Sequence, residues 1–231
     1  MSAGSRGRRN LGLLGAADPV PAVTTGTRVD IGRWIGVVTA HSSYRVRIDS
    51  LERIPAGGPT LVVVNHSSGM DGPALFGLLP RRVSFLVKAE MFHGFVGWVL
   101  TNVGQYGLNR EVPDRAPLLA ALAQLKDGGA IGIFPEGTRG EGEVESVFNG
   151  AGWLACRSGA QVVPIAMRGT YRAPGERRRF HPRVRVLVGE PFTVPVGAGR
   201  TAVNAATDKI RGTLKRLVSD LDALQGRSPA S

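Results

Sequence analysis

The residues best suited to chemistry lie in Val64-Asn65-His66-Ser67-Ser68-Gly69-Met70-Asp71-Gly72-Pro73. A histidine and a carboxylate stand five positions apart where an apolar run breaks into a Ser/Gly turn. On an ideal helix five residues turn through about 500°, which would separate the two side chains. A turn through Ser67-Ser68-Gly69 can instead fold Asp71 back toward His66. A carboxylate placed there holds one ring nitrogen as an N–H donor and leaves the other to accept a proton. The competing reading has Asp71 capping a helix that begins at Gly72-Pro73, with His66 a turn histidine; one carboxylate can also do both. Ser67 and Ser68 are poor nucleophile candidates, because no Gly-x-Ser-x-Gly elbow surrounds them.

Three more segments leave strand-like stretches for polar residues. Ile133-Phe134-Pro135-Glu136-Gly137-Thr138-Arg139-Gly140 enters a Pro/Gly turn. Backbone N–H groups in such a turn, beside Arg139, suit a phosphate or another oxyanion. Glu136 can pair with Arg139 or accept from a substrate hydroxyl. Gly104-Gln-Tyr-Gly-Leu-Asn-Arg110 ends in an arginine, and Val163-Pro164-Ile165 leads to Arg168-Gly169-Thr170.

Both strands and helices are needed to position these groups. Thr60–Val64 is a continuous, mostly β-branched run, the mark of a strand buried on both faces. Ala130–Phe134, Gln161–Met167 and Ser84–Val87 read as further strands. Tyr44–Asp49 and Arg183–Val188 alternate, the first placing Tyr44, Val46 and Ile48 on one face. Helices are expected over residues 28–40, 72–79 and 151–158, and after an N-cap at Asp114, where Leu118, Leu119, Leu122 and Leu125 share a face until Gly128-Gly129. A last helix over 201–224 spaces Ile210, Leu214, Leu217, Leu221 and Leu224 in a 4-3-4-3 seam. That seam either docks on the parent domain or pairs with a second copy. The alternation of strands and helices argues an α/β fold: one domain, a largely parallel mixed sheet flanked by helices, and a C-terminal helix. Residues 1–26, rich in Gly, Ser, Arg and Pro, read as a disordered basic tail, and 27–231 as the domain.

Together the four segments resemble the glycerolipid acyltransferases typified by lysophosphatidic acid acyltransferase. Asn65-His66-Ser67…Asp71 matches the first motif of that family, His-x4-Asp with the usual preceding Asn. Gly104…Arg110 matches the second, Phe134–Arg139 the third and Val163-Pro164-Ile165 the fourth, the likeness covering about residues 44–195. It implies an acyltransferase fold and transfer of a fatty acyl group from acyl-CoA or acyl carrier protein to a lysophospholipid hydroxyl, such as that of 1-acylglycerol-3-phosphate. In that chemistry His66 is the general base and Asp71 orients it, with no acyl-enzyme, metal or further cofactor. Base catalysis of this kind contributes roughly 10²- to 10⁴-fold. Arg139, Thr138, Gly137 and Glu136, with Arg110, would hold the acceptor's phosphate or polar head. Pro164 would shape a channel wall, and Lys88 falls where the family commonly has a cation. The chain departs from the pattern at Gly107, Asn109 and Asn149, the last standing where a Lys often follows Phe. Its loss weakens the case for a phosphomonoester acceptor and leaves other lipid hydroxyls open.

Composition narrows the setting. The 231 residues carry 29 basic and 18 acidic side chains, a formal charge of +11 that attracts anionic partners. Cys156 is the only cysteine, which excludes an internal disulfide and multi-cysteine zinc sites and favours a reducing, cytoplasmic location. The longest apolar neighbourhood, Val83–Val103, is interrupted by Lys88, Glu90, His93 and Asn102, too broken to span a bilayer. An enzyme acting on lipids would then sit peripherally on the cytoplasmic face of an anionic membrane. Phe92, Phe95, Trp98 and Leu100 are candidates to enter lipid, although a core-facing stripe is the more usual explanation. Arg172, Arg177, Arg178, Arg179, Arg183 and Arg185 could meet anionic lipid, CoA phosphates or an acidic carrier protein. The rival reading, a nucleic-acid-binding protein, lacks interleaved aromatics near that cluster and leaves the His-x4-Asp turn idle.

Overall fold

In a computed structural model, the run Thr60–Val64 forms the central strand of a seven-stranded sheet, every residue of it buried. The structure describes residues 26–109, 115–135, 149–171, 175, 180–197 and 199–226. In chain order the elements are α1 (Thr27–Ser43), β1 (Arg45–Asp49), β2 (Thr60–Val64), α2 (Asp71–Leu78), β3 (Ser84–Lys88), α3 (Gly94–Asn102) and β4 (Tyr106–Leu108). They continue with α4 (Ala116–Lys126), β5 (Ala130–Ile133), α5 (Asn149–Ser158), β6 (Gln161–Arg168), β7 (Arg183–Val188) and α6 (Arg200–Leu224).

The strand order is β1-β7-β6-β2-β5-β3-β4. The run from β6 to β4 is parallel throughout, while β7 lies antiparallel to β6 and parallel to β1. The N-terminal ends of β1 and β7 therefore sit at the sheet edge where β2, β5 and β6 finish. This is the mixed, mostly parallel sheet and single domain expected from the sequence.

Alternation along the strands separates two cores. Leu61, Val63, Ile131, Ile133 and Val162 face α4, α5 and α6. Val62, Val64, Val163, Ile165 and Met167 face α1 and α2. Burial of this kind is worth about 25 cal/mol per Å² of apolar area. The α6 seam docks on its own domain, with Ile210, Leu214 and Leu221 fully enclosed. Leu224 and, on α4, Leu119 are exposed, contrary to their place in the apolar stripes. A 3.6-residue helix presents a narrower buried face than those stripes cover, and Pro117, Ala121, Leu122 and Leu125 fill it on α4.

The α1–α2 crossing is made by glycine. A Cβ on Gly77 would lie 2.4 Å from the Val37 nitrogen, and one on Gly36 would lie 2.9 Å from the Pro73 carbonyl oxygen. The two backbones touch, and α1 is longer than the 28–40 segment foreseen.

Candidate active site

At its carboxyl end β2 opens into the turn 65–70, the position where open α/β sheets gather ligands. Asn65 is fully buried and takes over from the sheet: its Oδ1 accepts from Met167 N at 2.7 Å and its Nδ2 donates to Met167 O at 3.0 Å. The exit of β2 is thereby tied to β6.

The turn then brings Asp71 back to His66. One oxygen, Oδ2, accepts Ser67 N–H and Ser68 N–H, each at 2.8 Å, and lies 3.1 Å from His66 Nδ1. An oxygen already accepting two backbone donors is a carboxylate acceptor, so Nδ1 carries the hydrogen and the neutral ring keeps its lone pair on Nε2. Asp71 is wholly buried and the His66 side chain is 16% exposed. The other carboxylate oxygen, Oδ1, is buried without a hydrogen-bond partner among the described residues. The oxygen that meets the ring is thus the one fixed by the turn's backbone, which sets the position of the imidazole. Asp71 is thus an orienting carboxylate and not an N-cap. Helix α2 starts at Asp71 itself, its N-cap position is Met70, and no side chain caps it.

Phe134, just past β5, stacks its ring 4.4 Å from the His66 ring and 5.5 Å from Phe85, limiting rotation of the imidazole. Ser67 Oγ and Thr170 Oγ1 lie 3.3 Å apart, both groups buried. Two residues before Thr170, Arg168 donates from Nε and Nη2 to the two Asp222 oxygens at 2.8 and 2.7 Å. The end of β6 thus reaches α6 through Arg168 and the turn 65–70 through Thr170. The sequence offered no signal for the Arg168–Asp222 pair, whose members stand 54 residues apart. The Phe134 contact was foreshadowed only by its place in a motif.

The other candidates divide. Lys88 ends β3 at the same sheet edge and is exposed. Pro164 is buried in β6, and its ring packs toward Gly189 and Leu217, on the sheet face opposite His66, so it does not line the His66 side. The reason is strand alternation: Val163 and Ile165 take the near face. Arg110, Glu136, Gly137, Thr138 and Arg139 lie outside the described residues, as do Asp114, Arg172, Arg177, Arg178 and Arg179. Among the described residues no group of three or more His, Cys, Asp or Glu could hold a metal ion.

A buried Asp–His pair at the carboxyl edge of a mostly parallel sheet is an arrangement able to accept and return a proton. Residues 45–168 match the model of the family described as Acyltransferase, and the chain belongs to that family. The fold is that of the crystal structure of the 1-acyl-sn-glycerophosphate acyltransferase PlsC from Thermotoga maritima. The two share a TM-score of 0.67 and 28% identity over 84% of this chain and 80% of that one. A 1-acyl-sn-glycerol-3-phosphate acyltransferase of Bacillus subtilis is 27% identical over 184 residues, 78% of this chain and 91% of its own length. The chloroplastic Arabidopsis thaliana enzyme of the same name is 31% identical over 163 residues, 67% of this chain but 46% of its own.

Proposed function

We propose that this acyltransferase moves a fatty acyl group from a thioester, acyl-CoA or acyl carrier protein, to the free hydroxyl of 1-acylglycerol-3-phosphate, in phospholipid synthesis. The observation that carries the reading is the 3.1 Å contact between His66 Nδ1 and a buried carboxylate oxygen already holding two backbone N–H groups. His66 Nε2 takes the hydroxyl proton as the acceptor oxygen bonds to the thioester carbonyl carbon. The C–S bond then breaks, and the leaving thiolate receives that proton from the imidazolium. Ester and thiol are the products. Asp71 holds the tautomer throughout, and Asn65 positions the turn. Arg110 and the Glu136–Arg139 motif are assigned to the acceptor's phosphate by their motif positions. The names of the relatives support that acceptor.

Access from a bilayer surface fits the described surface. Ile31, Trp34, Ile35 and Val38 form an i, i+3, i+4, i+7 stripe on α1, all exposed. On α3, Phe95 and Trp98 are 77% and 63% exposed, stacked on each other, so they are not the core-facing stripe that the spacing favours. Arg28 on α1 donates to Asn102 on α3 at 2.9 Å, which makes the two helices neighbours. No helix among the described residues is long and apolar enough to cross a membrane. Peripheral docking through α1 and α3 supplies the lipid.

The test is mass-spectrometric detection of diacyl product from acyl thioesters and a lysophospholipid panel. Transfer to 1-acylglycerol-3-phosphate is expected, with loss of roughly 10²- to 10⁴-fold in kcat for His66→Ala. Asp71→Ala should lose a similar factor, because the ring then lacks the acceptor that fixes its hydrogen on Nδ1. Full activity in His66→Ala refutes the mechanism, and transfer only to other head groups refutes the acceptor.

A further inference from the structure

The β1–β7 pair carries an arginine array that the acid–base site does not use. Arg45 stands in register with Arg183, and Arg47 with Arg185. Strand spacing puts the partners about 5 Å apart, and successive pairs about 7 Å apart, at the backbone. All four leave the sheet on one face, because Val46 and Ile48 on β1, and Val184 and Val186 on β7, turn to the other core. Like charges directly opposite one another destabilise a sheet. Asp49 compensates the lower pair, meeting Arg47 at 2.9 Å and Arg185 at 3.3 Å. Arg185 also donates to the Leu224 carbonyl at 2.9 Å. The side chains of Arg45 and Arg183 are exposed and make no hydrogen bond or ion pair among the described residues.

Protection of a free sheet edge explains charges on β1 but not on β7, which is an interior strand. The array also stands at the reactive edge. Because β7 runs against β6, Arg183 lies beyond Arg168, the last residue of β6. Gly169 packs against its backbone: a Cβ there would be 2.0 Å from the Arg183 carbonyl oxygen, and φ is +98°. Thr170 follows and touches Ser67, the neighbour of His66. The array leaves the sheet on the α6 face and His66 lies on the α1–α2 face, so the way from one to the other passes over the carboxyl edge at residues 169–170.

We propose that Arg45 and Arg183, supported by Arg47 and Arg185, bind the phosphates of the acyl-CoA donor, whose pantetheine arm crosses the sheet's carboxyl edge to present the thioester at His66. The assignment rests on the acyl-transfer reading above. Guanidinium groups pair well with phosphate oxygens. The compact array matches a nucleotide phosphate cluster better than the roughly 800 Å² per partner of a standard protein interface. The donor's face is also distinct from the apolar α1–α3 face assigned to lipid.

The full chain is assayed with one acyl group on CoA and on pantetheine, which lacks the nucleotide phosphates. In Arg45→Ala/Arg183→Ala the ratio of kcat/KM for acyl-CoA to that for acyl-pantetheine should fall about tenfold or more, and Arg45→Lys/Arg183→Lys should recover part of it. An unchanged ratio overturns the proposal, as does a defect seen only with acyl carrier protein or only in vesicle binding. Titration calorimetry with CoA reads the array without turnover: a Kd weakened about tenfold supports it, and an unaltered Kd overturns it. If the unmodified enzyme turns over neither thioester, the acyl-transfer reading fails, while the calorimetric result still judges the array.

Discussion

Removing Asp222 tests whether α6 is a strut for the catalytic edge. The Arg168 and Asp222 side chains are only 9% and 7% exposed and share two charge-assisted hydrogen bonds. Asp222→Ala removes the carboxylate that accepts two of the Arg168 hydrogen bonds, and breaking a buried pair typically costs 3–5 kcal/mol. For a domain of this size each kcal/mol is worth about 2–4 °C, so the melting midpoint should drop by roughly 6–20 °C. Replacing both residues, as Arg168→Met/Asp222→Leu, removes the charge with its partner and should restore most of that loss. The assay is calorimetric or circular-dichroism melting of Asp222→Ala and of the double variant. Turnover would be measured well below the lowest midpoint. Because Thr170 stands two residues beyond Arg168 and touches Ser67, kcat should fall in the single variant even where it is fully folded. A midpoint shift under about 2 °C for Asp222→Ala would refute the reasoning, since it would mean that the pair is not held out of water.

Two other outcomes follow from the surface and the core. Cys156 is buried, and burial raises its thiol pKa, so little thiolate exists at neutral pH. Thiol reagents should label the native protein slowly, with a rate that climbs only at more alkaline pH than for free cysteine, and rapidly once it is unfolded; fast native labelling would contradict the packing. Trp34→Glu and Phe95→Glu should each weaken co-sedimentation with anionic vesicles by about tenfold or more, given 1.5–3 kcal/mol for a large apolar side chain. Unaltered partition would remove α1 and α3 from the lipid face.

Local signals were legible in the sequence where one physical cause dominated. A β-branched run such as Thr60–Val64 has few alternatives to a central strand, and the Ser/Gly turn after it could bring an acid back to His66. The role of Asp71 was ambiguous because capping and orienting demand the same residue at the same place. Only the turn's geometry, with Ser67 and Ser68 donating to one oxygen, separates them. Sheet order was not legible, because a reversed β7 depends on crossovers and not on its own alternation. Nor was the Arg168–Asp222 contact, whose partners read separately as a strand-end charge and a helix-surface charge. The facing of Pro164 was recoverable from alternation with Val163 and Ile165, although the motif resemblance pointed elsewhere.

The glycine crossing of α1 and α2 has a mechanical consequence. Asp71 is the first residue of α2, and Gly77 lies on the same helix less than two turns further on, pressed against Gly36. The helix that carries the outward-facing stripe and the helix that begins at Asp71 are therefore joined backbone to backbone. A methyl group added at residue 77 would therefore push against the α1 backbone and should displace the turn that holds His66 rather than merely loosen a helix.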